Sequence, residues 1–213
     1  DLRMGAHGPD EYLRPSYVQR IDSLDVVFAN TDPLIQKPTS YSQINLMQKI
    51  RFQPNKKWNL IYNFQYSTSS NYARYDRHIR YKDGLPRSAE WEYGPQEWAF
   101  NSLRITHTSK NAAYDQMNLN VGYQFFEESR IDRDFNDPIR RTRLENVVAL
   151  SANLDFNKSI GKRHELFYGA EVIHNDVRSY GWDEDIITGS IQNGPARYPK
   201  STWAPSAVYL THQ

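Results

Sequence analysis

The sequence predicts an all-β fold, a section of an antiparallel, up-and-down transmembrane β-barrel with about seven or eight strands. Three observations predict it. Apolar and polar residues alternate with period two in one segment after another. Short polar connections alternate with long ones. The face opposite the apolar one carries amides, small residues and a few carboxylates, not the Lys, Glu and Thr of a solvated sheet.

Taken in order, Tyr17 to Asn30 is a weak strand candidate. Gln43 to Phe52 sets Ile44, Leu46, Ile50 and Phe52 against Gln43, Asn45, Met47, Lys49 and Arg51. Trp58 to Tyr66 is the cleanest segment, with Trp58, Leu60, Tyr62, Phe64 and Tyr66 on one face and Asn59, Ile61, Asn63 and Gln65 on the other. Trp98 to His107 is a second weak candidate. Gln116 to Phe125 opposes Met117, Leu119, Val121, Tyr123 and Phe125 to Gln116, Asn118, Asn120, Gly122 and Gln124. In Glu145 to Phe156, Val148, Leu150, Ala152, Leu154 and Phe156 share a face. From His164, Leu166, Tyr168, Ala170 and Val172 oppose Glu165, Phe167, Gly169 and Glu171. A last strand starts near Ala207. Val, Ile, Tyr, Phe and Trp are enriched throughout, as strands favour.

Three connections are short and polar: 54–57, 109–113 and 157–163. Between them lie long ones, 67–97, 127–144 and 175–206, rich in Tyr, Arg, Asp, Gly and Pro. Short periplasmic turns on one rim and long extracellular loops on the other are the asymmetry of outer-membrane barrels. The turns near Asn55, Asn111 and Ser159 should therefore share one rim, and the regions around Asp83, Asp134 and Gln192 the other. Leu60, Tyr62, Phe64, Leu119, Val121, Tyr123, Leu150, Leu154 and Val172 should face lipid. Asn63, Gln65, Asn118, Asn120, Asn153 and Glu171 should face the interior. Trp58 to Tyr66 spans about 26 Å along the strand. At a tilt of about 40° that gives ~20 Å of height, slightly short of the ~25 Å apolar band of such barrels.

Composition narrows the function. The 26 basic and 25 acidic residues nearly cancel, which gives no reason to expect nucleic acid. There is no cysteine for a disulfide, thiolate site or thiol nucleophile. No run of 18 apolar residues exists, and a mean hydropathy of −0.80 does not exclude a barrel, in which only alternate residues meet lipid. No Gly-x-Ser-x-Gly, phosphate loop or His-Glu-x-x-His occurs, so the chain is read as a non-enzyme. The histidines at 7, 78, 107, 164, 174 and 212 are scattered. Asp183-Glu184-Asp185 could hold a calcium ion, but a solvated acidic tip is the simpler reading.

The first long connection carries the main candidate site: Arg74, Tyr75, Arg77, Trp91 and Tyr93, with Tyr72, Arg80 and Tyr81 nearby. Arginine gives charge-assisted bonds to anions, and aromatics offer apolar faces at low entropy cost. Together they suit an anionic, partly aromatic ligand such as a ferric siderophore or haem. Packing of the connection against its neighbours is the competing reading.

Several stretches resemble the barrel of TonB-dependent receptors, especially the Bacteroidetes type. They are Tyr93-Gly94-Pro95-Gln96-Glu97-Trp98; Tyr123 to Arg130 with Asp132 to Phe135; Arg141 to Val147 leading into Asn153-Leu154-Asp155-Phe156; and Leu166 to Val172. The resemblance runs from Gln43 to the C-terminus. It implies that residues 1–213 are one partial barrel from a Gram-negative outer membrane, lying in its lipid. It further implies a plug domain and the TonB complex as partners, neither visible in this chain, and uptake of an iron chelate. No cofactor is expected. A plugless porin-like channel and a soluble carbohydrate-binding β-sandwich are the alternatives.

Overall fold

A computed structural model of the chain describes residues 1–5 and 7–213. Strand makes up 68% of the chain and helix 3%. A hairpin, β1 (Ser16–Ile21) and β2 (Leu24–Ala29), comes first. The wall follows: β3 (Gln43–Asn55), β4 (Trp58–Ser69), β5 (Ser88–Thr108), β6 (Gln116–Asp134), β7 (Ile139–Ile160), β8 (His164–Asp185) and β9 (Ser206–His212). Each wall strand pairs antiparallel with the next in sequence, which makes a single up-and-down meander. The short segment Ser201–Trp203 continues the β9 register along β8, with Asn175 opposite Trp203 and Val172 opposite Ser206.

The registers settle the faces. Ile50, Tyr62, Leu103, Val121, Ala152 and Val172 form one row across six strands. Phe52, Leu60, Ile105, Leu119, Leu154, Ala170 and Val208 form the row below. The intervening rows are Lys49, Asn63, Ser102, Gly122 and Ser151, and Ile61, Arg104, Asn120, Asn153 and Glu171. Every residue expected on the apolar face is on it, and every one expected on the polar face is on that. The polar face is hollowed into a groove of about 760 Å³ that includes Asn63, Gln65, Arg104, Asn120, Ser151 and Asn153.

Burial is inverted relative to a water-soluble domain. Among the described residues no hydrophobic side chain is buried, while Arg14, Asp25, Ser129 and Arg133 are. On the apolar face Phe52, Val172, Val208 and Leu210 stand exposed. A sandwich would lay a second sheet over that face; here the wall is one sheet. Along the short-turn rim the apolar face ends in a row of rings: Trp58 on His107 (4.1 Å), His107 against Tyr114, Tyr114 against Phe156, and Phe156 on Tyr168 (4.9 Å). The 109–115 connection is held over this row by a bond from the Tyr168 hydroxyl to the Ala113 carbonyl.

The rims fall as expected. Asn55, Asn111 and Ser159 lie at one end, where Lys158 reaches both the Asn111 carbonyl and Asp115. Ser88 opposite Asp134, Ile139 opposite Asp185, and Asp183 opposite Gln192 lie at the other.

Two expectations need correction. Much of the three long connections is strand. β4 runs to Ser69 and β5 begins at Ser88, so only 70–87 connects them. Glu127 to Leu144 is the top of β6 and β7 joined by a turn at 135–138, and β8 continues to Asp185. Apolar alternation stops at this height, but pairing does not. Cross-strand charges such as Arg143–Asp183 and Arg140–Glu184 take over the side-chain contacts. A strand of 22 residues is about 70 Å long, so the wall projects far beyond the ~25 Å apolar band. Second, Tyr17 to Asn30 is not a wall strand. Asp22 adopts φ 53°, a left-handed turn residue that splits the segment into the β1–β2 hairpin, which forms its own two-stranded sheet.

Candidate ligand site at the long-connection rim

A bulge in β5 builds the site. The register with β6 shifts between Tyr93 and Gln96, around Gly94. Gly94 has φ +98°, and a Cβ there would sit 2.9 Å from the Ser70 carbonyl oxygen, so only glycine fits. The Ser129 hydroxyl donates to the Gly94 carbonyl. Above the bulge Trp91 lies opposite Asp132. Asp132 is an even number of residues past Asn120 on β6, with no register break against β7, so Trp91 belongs to the polar-face side.

Four of the five residues singled out in the sequence meet here. Arg74 and Arg77 approach the Trp91 ring at 5.0 and 5.5 Å, and Trp91 packs edge-on against Tyr93 at 5.2 Å. The segment that carries them is pinned by a single helical turn, Tyr75–His78, and by the Arg74 N–H bonding the Trp91 carbonyl. Tyr75 goes elsewhere, donating its hydroxyl to the Tyr12 carbonyl of the N-terminal segment. A residue missed in the sequence, Arg130, places a third guanidinium on Trp91, at 5.5 Å. Its position opposite Tyr93 on β6 is visible only once the register is known.

Part of this cluster is internally satisfied. Asp76 pairs with Arg74 at 2.8 Å and lies 3.6–3.7 Å from Arg77 and Arg80. The Nε atoms of Arg77 and Arg130 are buried without a hydrogen-bond partner, each 3.7 Å from a carboxylate oxygen, of Asp76 and Asp132 respectively. Beside them is a polar cavity of about 270 Å³ walled by Arg77, Arg80, Arg87, Arg141, Asp132 and Asp134. Arg141 is paired with Asp137 at 3.0 Å, and Arg77 and Arg80 share Asp76, which leaves Arg87 as the lining cation without an ion pair among the described residues.

A second set of charges locks the rim together. Asp25, from β2, receives two bonds from Arg133 (2.7 and 2.8 Å), one from the Asn136 N–H and one from Arg20. Burial raises the Asp25 carboxyl's affinity for protons, but these bonds outweigh it and hold the group below its ordinary range. Arg133 continues to Glu90, which is shared with Arg140, and Arg140 reaches Glu184. Burial likewise pushes Glu90 up, and Arg140 and Arg133 more than reverse it. His78 is buried behind the cluster, its Nε2 3.1 Å from the Trp91 carbonyl oxygen, and burial pushes its pKa down to about 4. Asp183-Glu184-Asp185 is not a shared cation site: Asp183 pairs with Arg143, Glu184 with Arg140, and Asp185 accepts the Ile187 and Thr188 N–H groups. At the opposite rim His164 and His212 approach to 3.0 Å, a contact that strand pairing creates across 48 residues.

No protein-family model matches the sequence, and no curated protein matches it. Among solved structures the chain is similar to one described as "Copper transporter OprC", with a TM-score of 0.62 at 12% identity over 82% of this chain. The match spans 26% of the length of that transporter. At this identity the likeness shows the fold: an all-β antiparallel barrel section.

Proposed function

We propose that the chain is a section of the barrel of an outer-membrane uptake receptor, coupled to TonB and gated by a plug in the lumen, whose cargo is an anionic metal chelate. The inverted burial carries the membrane placement: a continuous apolar face lies exposed on a single sheet whose other face is polar and hollowed. A bilayer is the solvent in which that face is stable. Plug and TonB follow from the resemblance in the sequence, and the fold likeness supports it. The cargo follows from the rim. Guanidinium donors and aromatic edges read the anionic shell of a chelate rather than a bare ion. An iron chelate, siderophore or haem, is the first candidate, and the likeness to a copper transporter makes a copper chelate the second.

The test uses the full-length receptor. It should fractionate with outer membranes and require detergent for extraction. Replacing Arg74 and Arg77 together should weaken binding of the chelate at least tenfold without unfolding the barrel. A lost charge-assisted bond is worth about 1.5–3 kcal/mol, and ~1.4 kcal/mol is a factor of ten. Unchanged binding would assign these residues to packing alone. Uptake that survives loss of TonB would replace the receptor by an open porin-like channel.

A further inference from the structure

A second cavity lies between the N-terminal segment and the first long connection, apart from the Trp91 cluster. It measures about 390 Å³, within the range of roughly 300–1,000 Å³ common for small-molecule sites. Its walls include Leu13, Pro33 and Ile79, with Arg14, Asp10 and Glu11.

Arg14 is the unusual member. It is 1% exposed. Its Nε donates to the Lys37 carbonyl (2.7 Å) and its Nη1 to the His78 carbonyl (2.5 Å), while Nη2 is buried with no partner. Among the described residues it forms no ion pair. An arginine cannot discharge itself by losing a proton in a protein. A buried cation is ordinarily matched by an anion, and here two carbonyl dipoles stand in for one. Asp10 and Glu11 on the same walls also make no ion pair among the described residues. The cavity wall thus holds one buried cation with a donor left over, apolar side chains and two carboxylates without an ion pair among the described residues.

We propose that this cavity binds a zwitterion with an apolar body, an apolar dipeptide or amino acid, its carboxylate on Arg14 and its ammonium toward Asp10 and Glu11. A chelate site at Trp91 neither requires nor supplies this one, and Arg74 and Arg77 do not line it.

The experiment is calorimetric titration of the full-length receptor in detergent with Leu-Leu, with its C-terminal amide and with its N-acetyl form. Leu-Leu should bind saturably. The amide, which lacks the carboxylate, should bind at least tenfold more weakly, and the acetylated form several-fold more weakly. Arg14→Gln should bind Leu-Leu and its amide equally poorly. Because that change could also loosen the segment, Ile79→Trp provides an independent arm: it fills the cavity, leaves Arg14 in place and should abolish binding. The Arg74/Arg77 double variant should bind Leu-Leu as the parent does, which separates this site from the chelate site. No saturable binding of Leu-Leu, equal affinity for the amide, or undiminished binding by Ile79→Trp would each overturn the proposal.

Discussion

Below the bulge at Gly94 the wall buries no apolar side chain, and arginines on its polar face bond amides, Arg104 to Asn120 and Arg51 to Asn59. Above the bulge the same strands bury charge: Arg133 at 1% exposure and Arg143 at 7%, with Glu145 at 9% level with the bulge itself. Backbone pairing is continuous through both regions on β6 and β7, so the ladder does not account for the contrast. In the membrane reading, lipid solvates the lower apolar rows and asks nothing of side-chain pairing. Above it, water and neighbouring segments meet long charged side chains, which stabilise the rim only where each finds its opposite. The lower region should therefore fail when a charge is added to it, and the upper one when a charge is removed.

The largest effect expected is at Arg133. Arg133→Met leaves Asp25 and Glu90 without their shared partner, and breaking a buried pair in this way costs about 3–5 kcal/mol. Hydrogen exchange should show β1–β2 and the 135–138 turn released while the wall below Gly94 keeps its protection. Release of the whole wall would erase the distinction between the regions.

Next is Val121→Arg, mid-strand on the apolar face, which should cost about 2–4 kcal/mol of barrel stability near the bilayer midplane. Asn120→Arg, one residue away on the polar face beside Arg104, should be much milder. Denaturant titration of refolded barrels in detergent or lipid compares the two. Equal effects would reverse the facing.

The smallest is a pH effect confined to the rim. The folded pKa of His78 is depressed to about 4. Its contribution is therefore fully present above its unfolded pKa of about 6.5 and is lost as pH falls toward 4. Between pH 7 and pH 5 the 70–87 connection should lose about 2 kcal/mol of local stability. Exchange rates at 74–80 should rise over that interval in the parent and stay flat in His78→Gln. A parent that shows no change would place His78 in contact with water.

How much of this was legible follows from the same contrast. Where an apolar outer face selects residues, period two is the whole message, and rows such as Leu119–Val121–Tyr123 could be read directly. Where charge pairs select them, the pattern has no period. Arg130 to Asp134 reads as a polar loop, although it is strand paired with β5. The contact of Asp25 with Arg133 spans 108 residues and leaves no local trace. Arg74, Arg77, Trp91 and Tyr93 could be gathered because they are close in sequence and of complementary type. Arg130 and the diverging Tyr75 could not, because the register and the N-terminal segment decide them.

The apolar face has a consequence for biogenesis. Its hydrophobicity exists only in two dimensions. Along the chain the apolar-face residues alternate with mostly polar or small ones, the mean hydropathy is −0.80, and among the described residues no helix is long and apolar enough to cross a membrane. In the membrane reading, secretion machinery that reads consecutive residues meets no long apolar run in this sequence. Only when β3 to β9 pair do Leu60, Leu119, Leu154 and Val208 become neighbours and create an insertion-competent surface. Strand pairing and entry into lipid are thus expected to be one event, since a finished wall waiting in water would present its adhesive face to every other copy.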